Sequence, residues 1–256
     1  MQLHCFRVEE FRFSRLAMPV NSLVMRRIPT AELLDDDLGT PAEIRKSLDD
    51  LWRINRWLGG ERSSLRLLDR VIARTGLQSL RILDAGAGDA RLADRLQTIL
   101  RQRDISADFV ALDRRHSHLR DGGAQAHRAE AIAADVFHLP FCEKSFDVVM
   151  CNLLLHHFSE ARAIELLLSW ARFARQAVIV NDLERNALPY LFIRLAYPFA
   201  RSRITRHDGP ASVRQAYTRE ELRSLAMQVG FRDFIVERLV PFRLGLTIWT
   251  MGGVGD

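Results

Sequence analysis

"ILDAGAGDAR", residues 82–91, runs from an apolar pair through an acid into two glycines set one residue apart. Ile82 and Leu83 read as the end of a buried strand. Glycine directly after such a strand marks a backbone that must come close to something. A dinucleotide-binding loop would continue as GxGxxG and seat a pyrophosphate on the following helix N-terminus. Here Arg91 stands where the third glycine would be, and two acids, Asp84 and Asp89, flank the turn. Two carboxylates repel a pyrophosphate. They suit a ligand that carries positive charge.

Strand and helix signals alternate outward from this loop. "SLRILDAG", "ADFVALD", the end of "HRAEAIAADV", "SFDVVMCN" and "QAVIVNDL" read as strands; a glycine pair, Gly122–Gly123, marks the loop before the third. Between them, "ARLADRLQTILRQR" is an amphipathic helix and "SEARAIELLLSWARFAR" a helix capped by Ser159. This alternation predicts the α/β class, a mostly parallel sheet covered on both faces. An irregular stretch follows, then a helix marked by the Thr218/Glu221 capping box and Gly230. Two closing strands, "FRDFIVERL" and "RLGLTIWTM", have only a turn at Pro241 between them, so they pair antiparallel. Upstream, Thr40, Pro41 and Glu43 start a helix that ends at Gly59–Gly60, and a second helix runs from about Ser63 to Ala73.

Composition narrows the class. The chain has 256 residues, enough for one α/β domain with additions, and a formal net charge of +5. Its cations are nearly all arginines, scattered along the chain, with "RSRITR" (201–206) the one close cluster. A nucleic-acid reader would show a denser basic stripe. Cys5, Cys142 and Cys151 have no metal-ligand spacing and read as free thiols of a reducing compartment, so no metal site is expected. No apolar run reaches the ~18 residues that span a bilayer, and Arg7, Glu9, Glu10, Arg12 and Arg15 break any signal-peptide core. A cytoplasmic protein is expected. Residues 1–27 show no period and read as a disordered extension, or as an upstream start before a true first residue at Met25.

With these motifs in place, "LDAGAGDAR" resembles motif I of class I S-adenosylmethionine-dependent methyltransferases, an acid followed by GxGxG, with Ala90 in place of the last glycine. The resemblance continues in register through "ALD", "AADVFHLPF" and "FDVVMCNLLLHHF", and covers about residues 78–256. It implies a Rossmann-like, seven-stranded, mostly parallel sheet with a final antiparallel strand, N-terminal helices and an inserted lid. It also implies S-adenosyl-L-methionine as cofactor. Asp84, Gly86 and Gly88 would form the cofactor loop, and Asp113 would hold the ribose hydroxyls. Asp135 would meet the adenine amino group, with Val136 beside it, and Asn152 would line the pocket. The implied organisation is an extension (1–27), an N-terminal helical segment (28–77) and the methyltransferase domain (78–256), with the insertion at about 184–217.

Methyl transfer from a sulfonium needs alignment first and a general base only where the acceptor loses a proton. His156, with its neighbour His157, lies in a "LHHF" that resembles that of small-molecule methyltransferases, including the quinone C-methyltransferases, where the pair often shapes the loop. These two, and His207 beside Asp208, are the candidate bases. Residues 187–200, "ALPYLFIRLAYPFA", are apolar but too short to span a membrane, and read as a lid or interfacial helix. The expected partner is therefore a small, lipophilic or aromatic acceptor, methylated at oxygen or carbon. No nucleic-acid partner is expected. Peripheral membrane contact is compatible with the lid, and a monomer and a homodimer fit equally. The competing readings are an RNA or protein methyltransferase, and a non-catalytic interaction module in the same fold.

Overall fold

The computed structural model describes residues 23–120 and 129–251. The expectations for residues 1–22, including Cys5, and for the Gly122–Gly123 loop lie outside the described residues. Seven strands are described: β1 (Ser79–Ala85), β2 (Ser106–Asp113), β3 (Glu130–Ala133), β4 (Phe146–Asn152), β5 (Ala174–Leu183), β6 (Phe234–Leu239) and β7 (Arg243–Trp249). They form one sheet in the order β3-β2-β1-β4-β5-β7-β6. The first five run parallel, and β7 lies antiparallel between β5 and β6. This is the Rossmann-like arrangement with its reversed final strand. Strand order turns back between β1 and β4, so the crevice for a ligand opens beyond their carboxyl ends.

The central strands read as apolar runs because both faces are covered. On one face, α2 (Gly60–Thr75) and α3 (Arg91–Arg101) bring Leu67, Leu68, Val71, Leu96 and Leu100 against Ile82, Val148 and Ile179. On the other, α5 (Glu160–Phe173) and α8 (Arg219–Gln228) bring Leu166, Trp170, Leu222 and Leu225 against Leu83, Val149 and Val180. Each such side chain contributes roughly 1.5–3 kcal/mol on full burial. Trp170 keeps its indole N–H paired with the carbonyl of Val136, at 3.1 Å.

The capping expectations hold. Thr40 and Glu43 close a capping box on α1 (Pro41–Trp57), Thr218 and Glu221 close one on α8, and Ser159 caps α5. Gly230 follows the end of α8 at φ 84°. The second helix begins at Gly60 rather than Ser63, and packs on β5 and β7 as a layer of the sheet.

The stretch after β5 holds the helix expected within 187–200, α6 (Ala187–Leu195), and a second that the reading as irregular did not anticipate, α7 (Arg203–Gln215). α7 continues through Pro210. The buried face of α7 joins Ile204 and Ala211 with Asp208 and Gln215, so half of its inward positions are polar and the helical period is hidden. Those polar groups are buried because they bind the segment before α1. Asp208 accepts from the Leu33 and Leu34 N–H groups at 2.9 and 3.0 Å, and Gln215 accepts from Thr30 at 3.2 Å.

Candidate functional site

The carboxyl ends of β1, β2, β4 and β5 deliver Asp84, Asp113, Asn152 and Asp182 to one side of the sheet. A cleft of about 440 Å³ opens there. At its sheet end, Gly86 and Gly88 hold φ 75° and 58°, a left-handed backbone that L side chains rarely adopt. A Cβ on Gly86 would press on Leu154 Cδ2 at 2.8 Å, whereas one on Gly88 would meet nothing within 4 Å and would project into the opening. Ala90 takes φ 60° as the residue before α3, so the position where the family motif has its last glycine keeps that glycine's conformation.

Asp113 is held from two sides. The Gly88 N–H donates to Oδ2 at 2.8 Å and the Arg115 N–H to Oδ1 at 2.9 Å, which ties the glycine loop to the end of β2. Burial raises its carboxyl above the ordinary range. Asp84 is almost wholly buried, and burial, with the charge of Asp113 adding to it, pushes it up to about 7. Asn152 pulls that carboxyl back down, yet the Asp84 Oδ1 and the Asn152 Nδ2 are buried without a hydrogen bond of good geometry. Such atoms are expected to be satisfied by a ligand or water. Asn152 is itself oriented by Ser64, whose hydroxyl donates to Oδ1 at 2.6 Å. An acid, an amide and an open glycine backbone therefore converge where a cationic, nucleoside-bearing cofactor would fit.

The remaining expected cofactor residues separate. Val136 lines the cleft, while Asp135 is exposed, does not line it, and accepts from the Phe137 N–H at 2.9 Å. Asp89 does not offer a free charge: Arg91 donates to it through Nε at 2.6 Å and stacks over Trp52. The repulsion assigned to two acids thus rests on Asp84 alone.

The other end of the cleft is built around His156. Its Nδ1 bonds Asp182 Oδ1 at 2.6 Å, and its backbone N–H donates to Asp182 Oδ2 at 3.0 Å. The opposite nitrogen, Nε2, is buried without a hydrogen-bond partner and faces Glu32 Oε1 at 3.6 Å. Burial alone would lower the imidazole, but the charge and hydrogen bond of Asp182, then Glu32, outweigh it and raise it to about 10. Asp182 and Glu32 are correspondingly held below their ordinary ranges against the cost of burial. His157 stacks beside His156 with ring centroids 4.2 Å apart and bonds Asp35 at 2.9 Å. Glu32, His156 and His157 each place a polar atom within 4.8 Å of the others, a spacing that could surround a cation. Asp182 and Glu32 both favour the charged imidazole, and that proton competes with a cation for Nε2.

His207 does not reach the cleft. It lies on the exposed side of α7 and bonds its neighbour Asp208 at 2.8 Å. Asp208 fastens the segment 30–39, which arches over the cleft and carries Glu32 and Asp35 into it. That strap is also held by Arg115, which donates to the Asp35 carbonyl at 2.7 Å, and by Ser212 and Gln215, which donate to Glu32 at 2.6 Å. Sequence reasoning missed Glu32, Asp35 and the fully buried Arg243, whose guanidinium bonds Asn55 at 2.7 Å and lines the cleft. "LDDDLG" (34–39) was the available signal: three consecutive acids beside apolar residues in a stretch too short for a helix. Helix α6 supplies Pro189, Phe192 and Ile193 to the same wall.

Residues 82–177 match the profile of a family described as "Methyltransferase domain". No curated protein matches the chain. Among solved structures, the chain is similar to the plantazolicin methyltransferase BpumL, crystallised with a monoazolic desmethylPZN analog and SAH. The identity is 12%, 85% of this chain and 98% of that one are covered, and the TM-score is 0.58. Human N-acetylserotonin methyltransferase in complex with SAM is 15% identical over 87% of this chain and 60% of that one, with a TM-score of 0.59. Magnesium protoporphyrin IX methyltransferase from Synechocystis PCC 6803 with bound SAH is 15% identical over 75% and 83%, with a TM-score of 0.50. At these identities the likeness is one of fold.

Proposed function

We propose that this class I S-adenosylmethionine-dependent methyltransferase methylates a small, lipophilic or aromatic metabolite, at a phenolic oxygen. The observation that carries the reading is the division of one cleft. Asp84, Gly86, Gly88, Asp113 and Asn152 stand at one end, and His156, backed by Asp182, stands at the other with Nε2 toward Glu32. When bound, S-adenosylmethionine supplies an electrophilic methyl group on a sulfonium, a good leaving group. Asp113, in this reading, takes the ribose hydroxyls with the oxygen lone pairs that Gly88 and Arg115 leave open. Ionised Asp84 favours the cofactor's positive charge.

The protein's remaining task is to align an acceptor and handle its proton. Alignment can supply roughly 7–11 kcal/mol of the barrier, and a positioned base perhaps 10²–10⁴-fold. In its neutral form, which the charges of Asp182 and Glu32 disfavour, His156 accepts the acceptor's proton at Nε2, while Asp182 fixes the ring and stabilises the imidazolium that forms. A phenol ordinarily ionises near pH 10, as tyrosine does. Asp182 and Glu32 raise His156 toward that range, which lowers the cost of moving a phenol's proton to it. Phe192, Ile193 and Phe242 give the acceptor's ring an apolar wall. The lining suits an aromatic molecule better than an RNA.

The test is transfer of labelled methyl from the cofactor to a panel of phenols, enolisable carbon acids, RNA and protein. Label on phenols, lost in a folded His156→Asn variant, supports the reading. Label on RNA or protein alone would overturn it.

A further inference from the structure

Beyond the cleft lies a second chamber of about 680 Å³, walled by Leu195, Ala196 and Phe199 and rimmed by Arg53, Arg201 and Arg206. Its inner wall is the outer wall of the cleft: Ile54, Leu58, Phe192, Ile193 and Thr205 border both. A partition one side chain thick, nearly all apolar, separates the two spaces. The outer mouth opens to water between Trp57 and Phe199, which are 88% and 80% exposed. An apolar chamber of this size serves no packing purpose, since the side chains around it leave it unfilled.

We propose that this chamber houses the unbranched alkyl chain of an amphiphilic acceptor. The inference rests on the phenol-methylating reading above and extends it to the substrate's tail. Continuity decides the occupant: a ring seated against Phe192 and Ile193, with its hydroxyl at His156, places a para or meta chain against the side chains that the two spaces share. On the far side the chain meets the chamber. Phe192 is the movable part of the partition, because it lies on α6, is partly exposed and packs its ring on Phe242 at a centroid distance of 5.5 Å. The guanidiniums at the rim stay in water while the chain covers apolar wall.

The experiment is a calorimetric titration of the full chain, saturated with S-adenosylhomocysteine, using 4-n-alkylphenols from methyl to dodecyl below their micellar concentrations. The expected Kd falls about fourfold with each added CH2, then levels once the chamber is full. Ala196→Trp should move the levelling point to shorter chains, and its S-adenosylhomocysteine affinity reports whether it folds. Leu195→Trp is the second variant should that one fail to fold. A Kd that ignores chain length, while 4-methylphenol still binds and is methylated, overturns the tail chamber and leaves the head-group reading standing. Length dependence that both tryptophan variants leave unaltered means adsorption to the outer surface, and also overturns it. Binding of the cofactor product with no binding of any phenol overturns the parent reading itself.

Discussion

The imidazole of His156 is bonded through Nδ1 to Asp182 Oδ1 at 2.6 Å and faces Glu32 through Nε2 at 3.6 Å. Two carboxylates on one buried ring raise it to about 10 from an ordinary 6.5. If His156 is the base, the neutral ring is the competent form, and log kcat/KM should climb with pH up to about 10. Glu32→Gln keeps an acceptor for Ser212 and Gln215 but removes one charge, so the midpoint should move to lower pH. Asp182→Asn should move it further and also cost rate, because the ring loses its orientation. The sign for stability is opposite. A raised histidine stabilises the fold fully below pH 6.5 and loses that contribution as pH rises through about 10. Rate profiles and an imidazole NMR titration check both; an unmoved midpoint in Glu32→Gln would remove Glu32 from the relay.

The contrast between His156 and Glu32 shows what the sequence makes legible. The sheet, the glycine loop and the acids at strand ends follow from local rules: period, caps and the residue after a strand. His156 sits in a motif beside β4, so its place could be read, but its partner Asp182 could only be noted as one polar group among several after β5. Glu32 lies 124 residues upstream of His156 in the sequence, and no local pattern links the two. Its position is set by Asp208, Ser212 and Gln215 on α7, a helix whose own period is hidden by those same polar residues. The cofactor end of the cleft is local in sequence. The acceptor end is assembled from long-range hydrogen bonds.

Asp84 predicts a second pH effect, in the cofactor. Its carboxyl, pushed up to about 7 by burial, holds a proton in the fold that the unfolded chain releases near 3.8. The contribution to stability is therefore largest below 3.8 and is lost as pH rises toward about 7. A cationic ligand favours the ionised form, so S-adenosylmethionine affinity should rise as pH passes through about 7 and then level. Asp84→Asn should flatten that profile. Calorimetry from pH 5.5 to 8.5 checks it, and a flat wild-type profile would place the ligand's charge elsewhere.

The two loop glycines should fail differently. Alanine at either position carries a left-handed cost of roughly 1–2 kcal/mol. Gly86→Ala adds a clash with Leu154, so it should lower Tm more than Gly88→Ala does. Gly88→Ala has room for its methyl, but that room is the cleft, so the larger loss should be in cofactor affinity. Thermal melts paired with S-adenosylhomocysteine titrations separate the two. Equal losses of Tm and affinity in both variants would mean that the loop acts only as a scaffold.

Asp208 should control the acceptor end from outside the cleft. Its carboxylate holds the Leu33 and Leu34 N–H groups, and through them the strap that carries Glu32. Asp208→Ala leaves those donors unpaired, at a cost on the order of 1–3 kcal/mol each if they stay dry. The expected outcome is a lower Tm and a rate profile whose midpoint shifts the way Glu32→Gln shifts it. Cofactor affinity should hold, since Gly88, Asp113 and Asn152 are positioned by other elements. A lower Tm with an unmoved midpoint would mean that the strap stays in place without Asp208.

Leu191 and Phe192 are neighbours on the lid helix that should give opposite answers. Leu191 is 54% exposed and borders neither the cleft nor the outer chamber, whereas Phe192 is 44% exposed and borders both. Neither is core, so neither serine substitution should cost the 1.5–3 kcal/mol that follows from removing a fully buried side chain. Leu191→Ser should leave Tm, cofactor affinity and acceptor KM as they are, unless the outer face of the lid meets a surface of its own. Phe192→Ser removes the ring that packs on Phe242 and divides the two spaces, so acceptor KM should rise severalfold with cofactor Kd unchanged. Steady-state kinetics with one methylated phenol, run in the presence and absence of lipid vesicles, distinguishes the cases. A vesicle-dependent loss in Leu191→Ser would assign the exposed face of α6 to a membrane. A normal KM in Phe192→Ser would remove the lid from the acceptor's path.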